Sequence, residues 1–216
     1  MRTSTRAAYA RPVCYYDVVR KFLIGIDEAG RGPLAGPVAV GAVRVPSDFD
    51  WSLVTGAKDS KQMTPKSRDL LYKKMCALRK EGKMDFAVAF SSASVIDKRG
   101  IVPAVQSALD RALAKVSKVE PCHYEVLLDG GLHAPDEYIH QKTIIRGDQS
   151  EQVISLASIA AKVTRDRLMV RLAQKYPAYG FDIHKGYGTL AHRTAIKREG
   201  LCELHRTTFC TKIRSL

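Results

Sequence analysis

The chain has 216 residues, 45% of them hydrophobic, and a formal net charge of +13. That length suits one well-filled domain, or one domain plus a small appendage. No apolar run is long enough to span a bilayer and no secretory signal opens the chain, while the five scattered cysteines, without a CxxC, place it in a reducing cytosol rather than in a disulfide framework.

Residues 1–20 bear Arg2, Arg6 and Arg11 and no acid before Asp17; they read as a flexible extension ahead of a single domain over 21–216. Residues 21–28 read as a buried strand and 38–45 as a second. The bend between them holds Gly30, Gly32, Pro33, Gly36 and Pro37. Two prolines at that spacing exclude a dinucleotide-binding helix start, and no G-x-x-x-x-G-K-[ST] is present. Thr64-Pro65, a good N-cap and first helical position, opens a helix to about Lys80 that stops at Gly82. Residues 84–90 form a third strand, and 102–116 an amphipathic helix with Val105, Leu109, Ala112, Leu113 and Val116 on one face. Residues 124–129 are a fourth strand, ending in Asp129 before Gly130-Gly131, and 142–146 a short fifth that runs into Gly147-Asp148. A long helix follows over 151–176, capped by Ser150. After it come a turn-rich segment over 179–189 and a last helix over 190–198 that ends at Gly200. The order predicts one α/β domain with a mixed sheet, and the segment from about 176 to 216 a C-terminal helical region. From Lys162 to the end, twelve Lys and Arg stand against four acids. Excess charge of this kind favours polyanions without fixing a fold, and a solvated basic surface accounts for it equally well.

Acids stand at three strand ends: Asp27-Glu28, Asp129 and Asp148. Sites in open α/β sheets form beyond the carboxyl ends of strands. Four carboxylates gathered there repel unless divalent cations neutralise them. All-oxygen ligands select Mg²⁺ or Mn²⁺ over zinc. Two such ions activate a water and stabilise the leaving oxygen of a phosphodiester displacement. Singly, each acid could equally be a cap or a turn former; the joint pattern carries the reading.

Gly25-Ile26-Asp27-Glu28-Ala29-Gly30-Arg31-Gly32-Pro33-Leu34-Ala35-Gly36-Pro37 resembles the signature of type 2 ribonuclease H, bacterial ribonuclease HII. The likeness continues, in the expected order, through Asp59-Ser60-Lys61, Leu127-Leu128-Asp129-Gly130, Gly147-Asp148, the stretch from Ala157 to Asp166, and His184-Lys185-Gly186-Tyr187-Gly188-Thr189. It covers about residues 21–210. Arg31, and the lack of a large N-terminal domain, favour this family over the related ribonuclease HIII. His205-Arg206-Thr207-Thr208-Phe209 has threonine where the family usually has serine, a change that keeps the hydroxyl. The resemblance implies a ribonuclease H-like fold, a central mixed sheet flanked by helices. It also implies an endoribonuclease that cleaves the RNA strand of RNA–DNA hybrids and nicks 5′ of single ribonucleotides in duplex DNA, with two Mn²⁺ or Mg²⁺ ions. Asp27, Glu28, Asp129 and Asp148 match the catalytic, metal-binding acids, with Asp27 bridging both ions. Gly30-Arg31-Gly32 would read the ribose 2′-OH, the group that distinguishes RNA from DNA, and Tyr187 would stack on the following deoxyribose. Lys61, Ser158 and Lys162 would contact phosphates, which positions a strand without reading its sequence. The family implies a cytoplasmic monomer. A sliding-clamp contact is compatible with it, but no residue after Phe209 indicates one.

Simpler roles compete. Arg31 could be a surface ion-pair partner, Tyr187 a core residue, Ser158 a helix-packing residue and Lys162 a solvated charge. Cys202-x-x-His205 falls short of a zinc site and is assigned to structure. A DNA-cutting resolvase of the same fold and a non-catalytic nucleic-acid-binding module are the alternative functions.

Overall fold

The computed structural model describes residues 21–56 and 63–214. The extension of residues 1–20 and the Asp59-Ser60-Lys61 segment, with the phosphate-contact candidate Lys61, lie outside the described residues. Five strands, β1 (Phe22–Ala29), β2 (Val38–Pro46), β3 (Asp85–Ser91), β4 (Tyr124–Asp129) and β5 (Gln141–Ile144), make one sheet in the order β3-β2-β1-β4-β5. The first three pair antiparallel, whereas β4 runs parallel to β1 and β5 parallel to β4. This is the expected mixed sheet.

The helices are α1 (Pro65–Lys80), α2 (Ala93–Arg99), α3 (Ile101–Val116), α4 (Gly147–Ser150), α5 (Gln152–Lys175), α6 (Phe181–His184), α7 (Leu190–Glu199) and α8 (Thr211–Arg214). Thr64 caps α1 as its sequence predicts, its Oγ1 accepting the Ser67 N–H at 3.2 Å. Ser150 does not cap α5. It closes the single turn of α4, and Glu151, in extended backbone, takes the N-cap position with no side-chain bond. Helix α2 escapes the sequence because seven residues are too few to display a helical period, although Ser92 caps it and Gly100 ends it. Likewise α6 is one turn inside the segment read as turns.

Strand alternation sorts the core into two layers. Ile24, Ile26, Val126 and Leu128 meet Ala104, Ala108, Leu109 and Ala112 of α3 on one face. Val43, Val45 and Leu127 meet Val153, Leu156 and Ala160 of α5 on the other. Each Val, Leu or Ile among them, fully buried, contributes about 1.5–3 kcal/mol. Every residue from 153 to 161 is buried, so the first half of α5 shows no polar stripe and only its second half reaches solvent. Its backbone comes so close to β1 that a Cβ on Gly25 would overlap the Val153 carbonyl, which is why glycine stands mid-strand there. The second half of α5 carries a satellite core in which Met169 and Ala173 pack with Ala35, Tyr179, Phe181 and Ala195. No helix among the described residues is long and apolar enough to cross a membrane, and Cys76, Cys122, Cys202 and Cys210 are free thiols.

Candidate active site

Register brings the first two acids together. Ile26 pairs with Leu128 across the parallel β1–β4 ladder, so Asp27 and Asp129 follow as neighbours on the α5 side of the sheet. Asp27 is 3% exposed. Its Oδ1 accepts the Glu28 N–H at 2.7 Å, and the Ser158 hydroxyl of α5 bonds its carboxylate. Burial nevertheless pushes its pKa well above the usual carboxylate range, with the charges of Glu28 and Asp129 adding to the effect. Asp148 is buried in the α4 turn rather than at a strand end, because the chain passes through Arg146, in left-handed backbone, before turning inward. From there its N–H reaches Asp129 Oδ1 at 3.4 Å.

A depression of about 460 Å³ opens over these groups. Asp27, Glu28, Asp129 and Ser158 line it, together with the Gly30-Arg31-Gly32 bend, here called its glycine wall, and with Lys162 and Tyr187. Nine of the eleven sequence candidates therefore line one site. Asp148 sits behind Asp129, and Lys61 falls outside the described residues. Arg31 does form the surface ion pair considered above, with Glu28 at 3.2 Å, and it forms it at the lip of the depression. Tyr187 is a loop residue, 41% exposed, not a core one. Lys162 pairs with Asp166 at 2.8 Å and lies 5.6 Å from the Tyr187 ring centre. Ser158 is both packed and polar, since its hydroxyl serves Asp27.

Two residues that matter to this wall were not singled out in the sequence. Arg165 and Arg206 are fully buried, and both donate hydrogen bonds to backbone carbonyls. Arg165 donates to Pro37 O at 2.8 Å, Lys185 O at 3.0 Å and Ala35 O at 3.2 Å. Arg206 donates to Gly30 O at 2.6 Å, Arg31 O at 2.8 Å and Gly36 O at 2.9 Å. Burial lowers both guanidinium pKa values, that of Arg206 to about 10. The glycine bend is thus clamped from below by two arginines. Gly30 has φ +88°, and a Cβ there would overlap the Arg165 side chain, so glycine is required at that position. Arg68 of α1 also lines the depression. No spacing marked any of the three, although Arg165 and Arg206 lie inside recognisable motifs.

The donor set can be tested for a metal. Its oxygens are all carboxylate, which suits a hard divalent cation, and the raised Asp27 pKa reports a carboxylate buried beside two like charges, a cost that such a cation would offset. Among the described residues, no three His, Cys, Asp or Glu side chains are placed so that they could hold a metal ion without moving; the Asp129 and Glu28 oxygens engage the Asp148 N–H and Arg31 instead. Cys202, His205 and His192 contact one another in the C-terminal region, away from the acids.

The ribonuclease HII family model matches residues 24–212. A ribonuclease HII of Endomicrobium trichonymphae is 43% identical over 185 residues, 86% of this chain and 83% of that protein. One of Caldicellulosiruptor bescii is 40% identical over 91% of this chain and 90% of its own length. The ribonuclease H2 structure from Pyrococcus horikoshii OT3 superposes with a TM-score of 0.70 at 26% identity, covering 90% of this chain and 97% of that one. The carboxylates, the clamped glycine bend and these matches lead to one assignment: the chain belongs to the ribonuclease HII family, endoribonucleases that cleave the RNA of RNA–DNA hybrids.

Proposed function

We propose that this enzyme, besides cleaving hybrids, nicks duplex DNA on the 5′ side of a single embedded ribonucleotide, leaving 3′-OH and 5′-phosphate ends. The observation that carries the proposal is the presence of three carboxylates, the arginine-clamped Gly30-Arg31-Gly32 bend and Tyr187 in the lining of one depression. Asp27, Glu28, Asp129 and Asp148 would hold two divalent ions, Mn²⁺ or Mg²⁺, which when bound supply an activated water and neutralise charge on the leaving oxygen. Arg206 draws the Gly30 and Arg31 carbonyls inward. In planar trans peptides the following N–H groups point the opposite way, so the Arg31 and Gly32 amides face away from the clamp and can read a 2′-OH. Lys162 and Lys61 are the phosphate contacts of this reading, whereas Ser158 serves mainly to hold Asp27. The residues that line the depression belong to a single copy of the chain, so this reading requires no second subunit to complete the site.

The test is an end-labelled DNA duplex with one internal ribonucleotide, incubated with Mg²⁺, Mn²⁺ or chelator. A single nick 5′ of the ribonucleotide, absent with chelator, is expected. Cutting of an all-DNA duplex would point to a resolvase, and binding without any product to a non-catalytic module. In the same assay Tyr187→Ala should lose about ten-fold more activity on the single ribonucleotide than on a long hybrid, the size of one lost stacking contact. Equal losses would remove Tyr187 from junction reading.

A further inference from the structure

The loop that carries Tyr187 rests on a chain of neutral imidazoles. Cys202 N–H donates to His205 Nδ1 at 2.9 Å, closer than the Cys202 Sγ at 3.2 Å and the Cys202 carbonyl at 3.3 Å, so the shortest contact assigns that nitrogen as an acceptor and the His205 proton to Nε2. His205 Nε2 lies 3.1 Å from His192 Nε2. With His205 the donor, His192 Nε2 accepts and its own proton sits on Nδ1. That nitrogen stands 2.9 Å from the Tyr187 carbonyl and donates to it, alongside the Thr189 N–H at 2.8 Å. Each bond fixes the tautomer of the next ring. Both rings are buried, and burial keeps both pKa values low, that of His192 at about 4. A proton on either ring would set two N–H groups face to face.

His184 supports the neighbouring residue. Its Nδ1 accepts the Gly186 N–H at 3.2 Å, and its ring stacks on His192 with centres 4.3 Å apart. The residue after His205 is Arg206, the clamp on Gly30 and Arg31. Two consecutive residues therefore hold the Tyr187 loop and the glycine wall of the depression, one through a relay and the other directly.

We infer that His192 and His205 are positioning residues for Tyr187: their tautomer-locked relay, anchored beside Arg206, sets the stacking ring at a fixed place in the depression that the sugar-reading amides also line. The inference rests on the reading of Tyr187 as the junction contact. It extends that reading to two side chains that touch neither substrate nor metal.

The experiment compares full-length wild type, Tyr187→Ala, His192→Phe, His192→Asn and the Tyr187→Ala/His192→Phe double variant, on the single-ribonucleotide duplex and on a long hybrid. His192→Phe keeps an aromatic ring but no donor, and should lower kcat/KM on the junction substrate about ten-fold, as one lost buried hydrogen bond implies, with less than about two-fold loss on the hybrid. His192→Asn places an N–H near the former Nδ1 and should restore most of the loss. In the Tyr187→Ala background the His192→Phe penalty should vanish, because the pair acts as a unit. Equal losses on both substrates, or additive losses in the double variant, would overturn the inference and leave His192 a packing residue. Nitrogen NMR of the unmodified chain at neutral pH gives a readout that does not depend on the variants folding. It should show His192 protonated on Nδ1 and His205 on Nε2, and the opposite tautomers would equally refute the relay. If Tyr187→Ala itself shows no substrate selectivity, the junction reading has failed. If Tyr187→Ala is selective and His192→Phe is not, only the relay has failed.

Discussion

Asp27→Asn is expected to abolish cleavage in Mg²⁺ and in Mn²⁺ while leaving the metal-free protein at least as heat-stable as the parent at neutral pH. Both halves follow from one environment. The carboxylate is buried between Glu28, Asp129 and the Ser158 hydroxyl, and folding raises its pKa well above 3.8. A carboxyl group raised in this way stabilises the fold only while protonated. That contribution is lost as pH rises through the folded pKa, so at neutral pH the ionised group opposes folding. Asparagine has nearly the same shape, can still accept from Ser158, and carries no charge. The activity loss should exceed about 100-fold, beyond the 10–100-fold usual for residues that merely support a metal ligand. Thermal melts with and without divalent cation supply the second readout. Cation should raise the melting temperature of the parent and leave the variant unmoved. A variant that cuts, or a metal-free variant that melts well below the parent, would remove Asp27 from the metal site.

Arg206→Lys should be among the most damaging conservative changes in the chain. The guanidinium serves the Gly30, Arg31 and Gly36 carbonyls at once. A lysine ammonium is a single point of charge and cannot reach all three. Carbonyls left without a donor in a buried place cost about 1–3 kcal/mol each, so a loss of about 3 kcal/mol or more is expected in urea denaturation. Arg31→Ala removes only the exposed Glu28 pair and should cost below about 1 kcal/mol. If the two variants unfold at similar urea concentrations, the clamp is not what holds the bend. The freed carbonyls of Gly30 and Arg31 would also let their amides turn, so surviving Arg206→Lys enzyme should discriminate ribose from deoxyribose less well.

The contrast between those two arginines shows where the sequence was legible. Strand alternation and the glycine–proline bend located β1 to β5 and gathered Asp27, Asp129 and the glycine wall correctly, because register carries period-2 patterns directly into space. Charge counting did not carry over in the same way. The basic excess after Lys162 suggested a polyanion-binding surface, yet Arg165 and Arg206 face inward and bind the protein's own carbonyls. Nothing in spacing separates an arginine that meets phosphate from one that meets backbone. Asp148 was found as a site residue but placed at a strand end, since a four-residue turn such as α4 leaves no periodic trace. The Ser150 cap failed for the same reason: Ser150 closes that short turn and stands one residue ahead of the true N-cap, Glu151.

Helix α5 has a final consequence for how the family can vary. Ser158, Lys162, Arg165 and Met169 follow one another along it, at the carboxylates, the Tyr187 ring, the glycine bend and the C-terminal core in turn. The helix therefore works as a ruler, with about 4.5–6 Å between successive marks three or four residues apart, and its zero is fixed where Gly25 admits its backbone against β1. One residue added between Ser158 and Met169 would turn every later mark by about 100°. Length changes among relatives should then be confined to the loops, while this stretch of helix keeps its residue count.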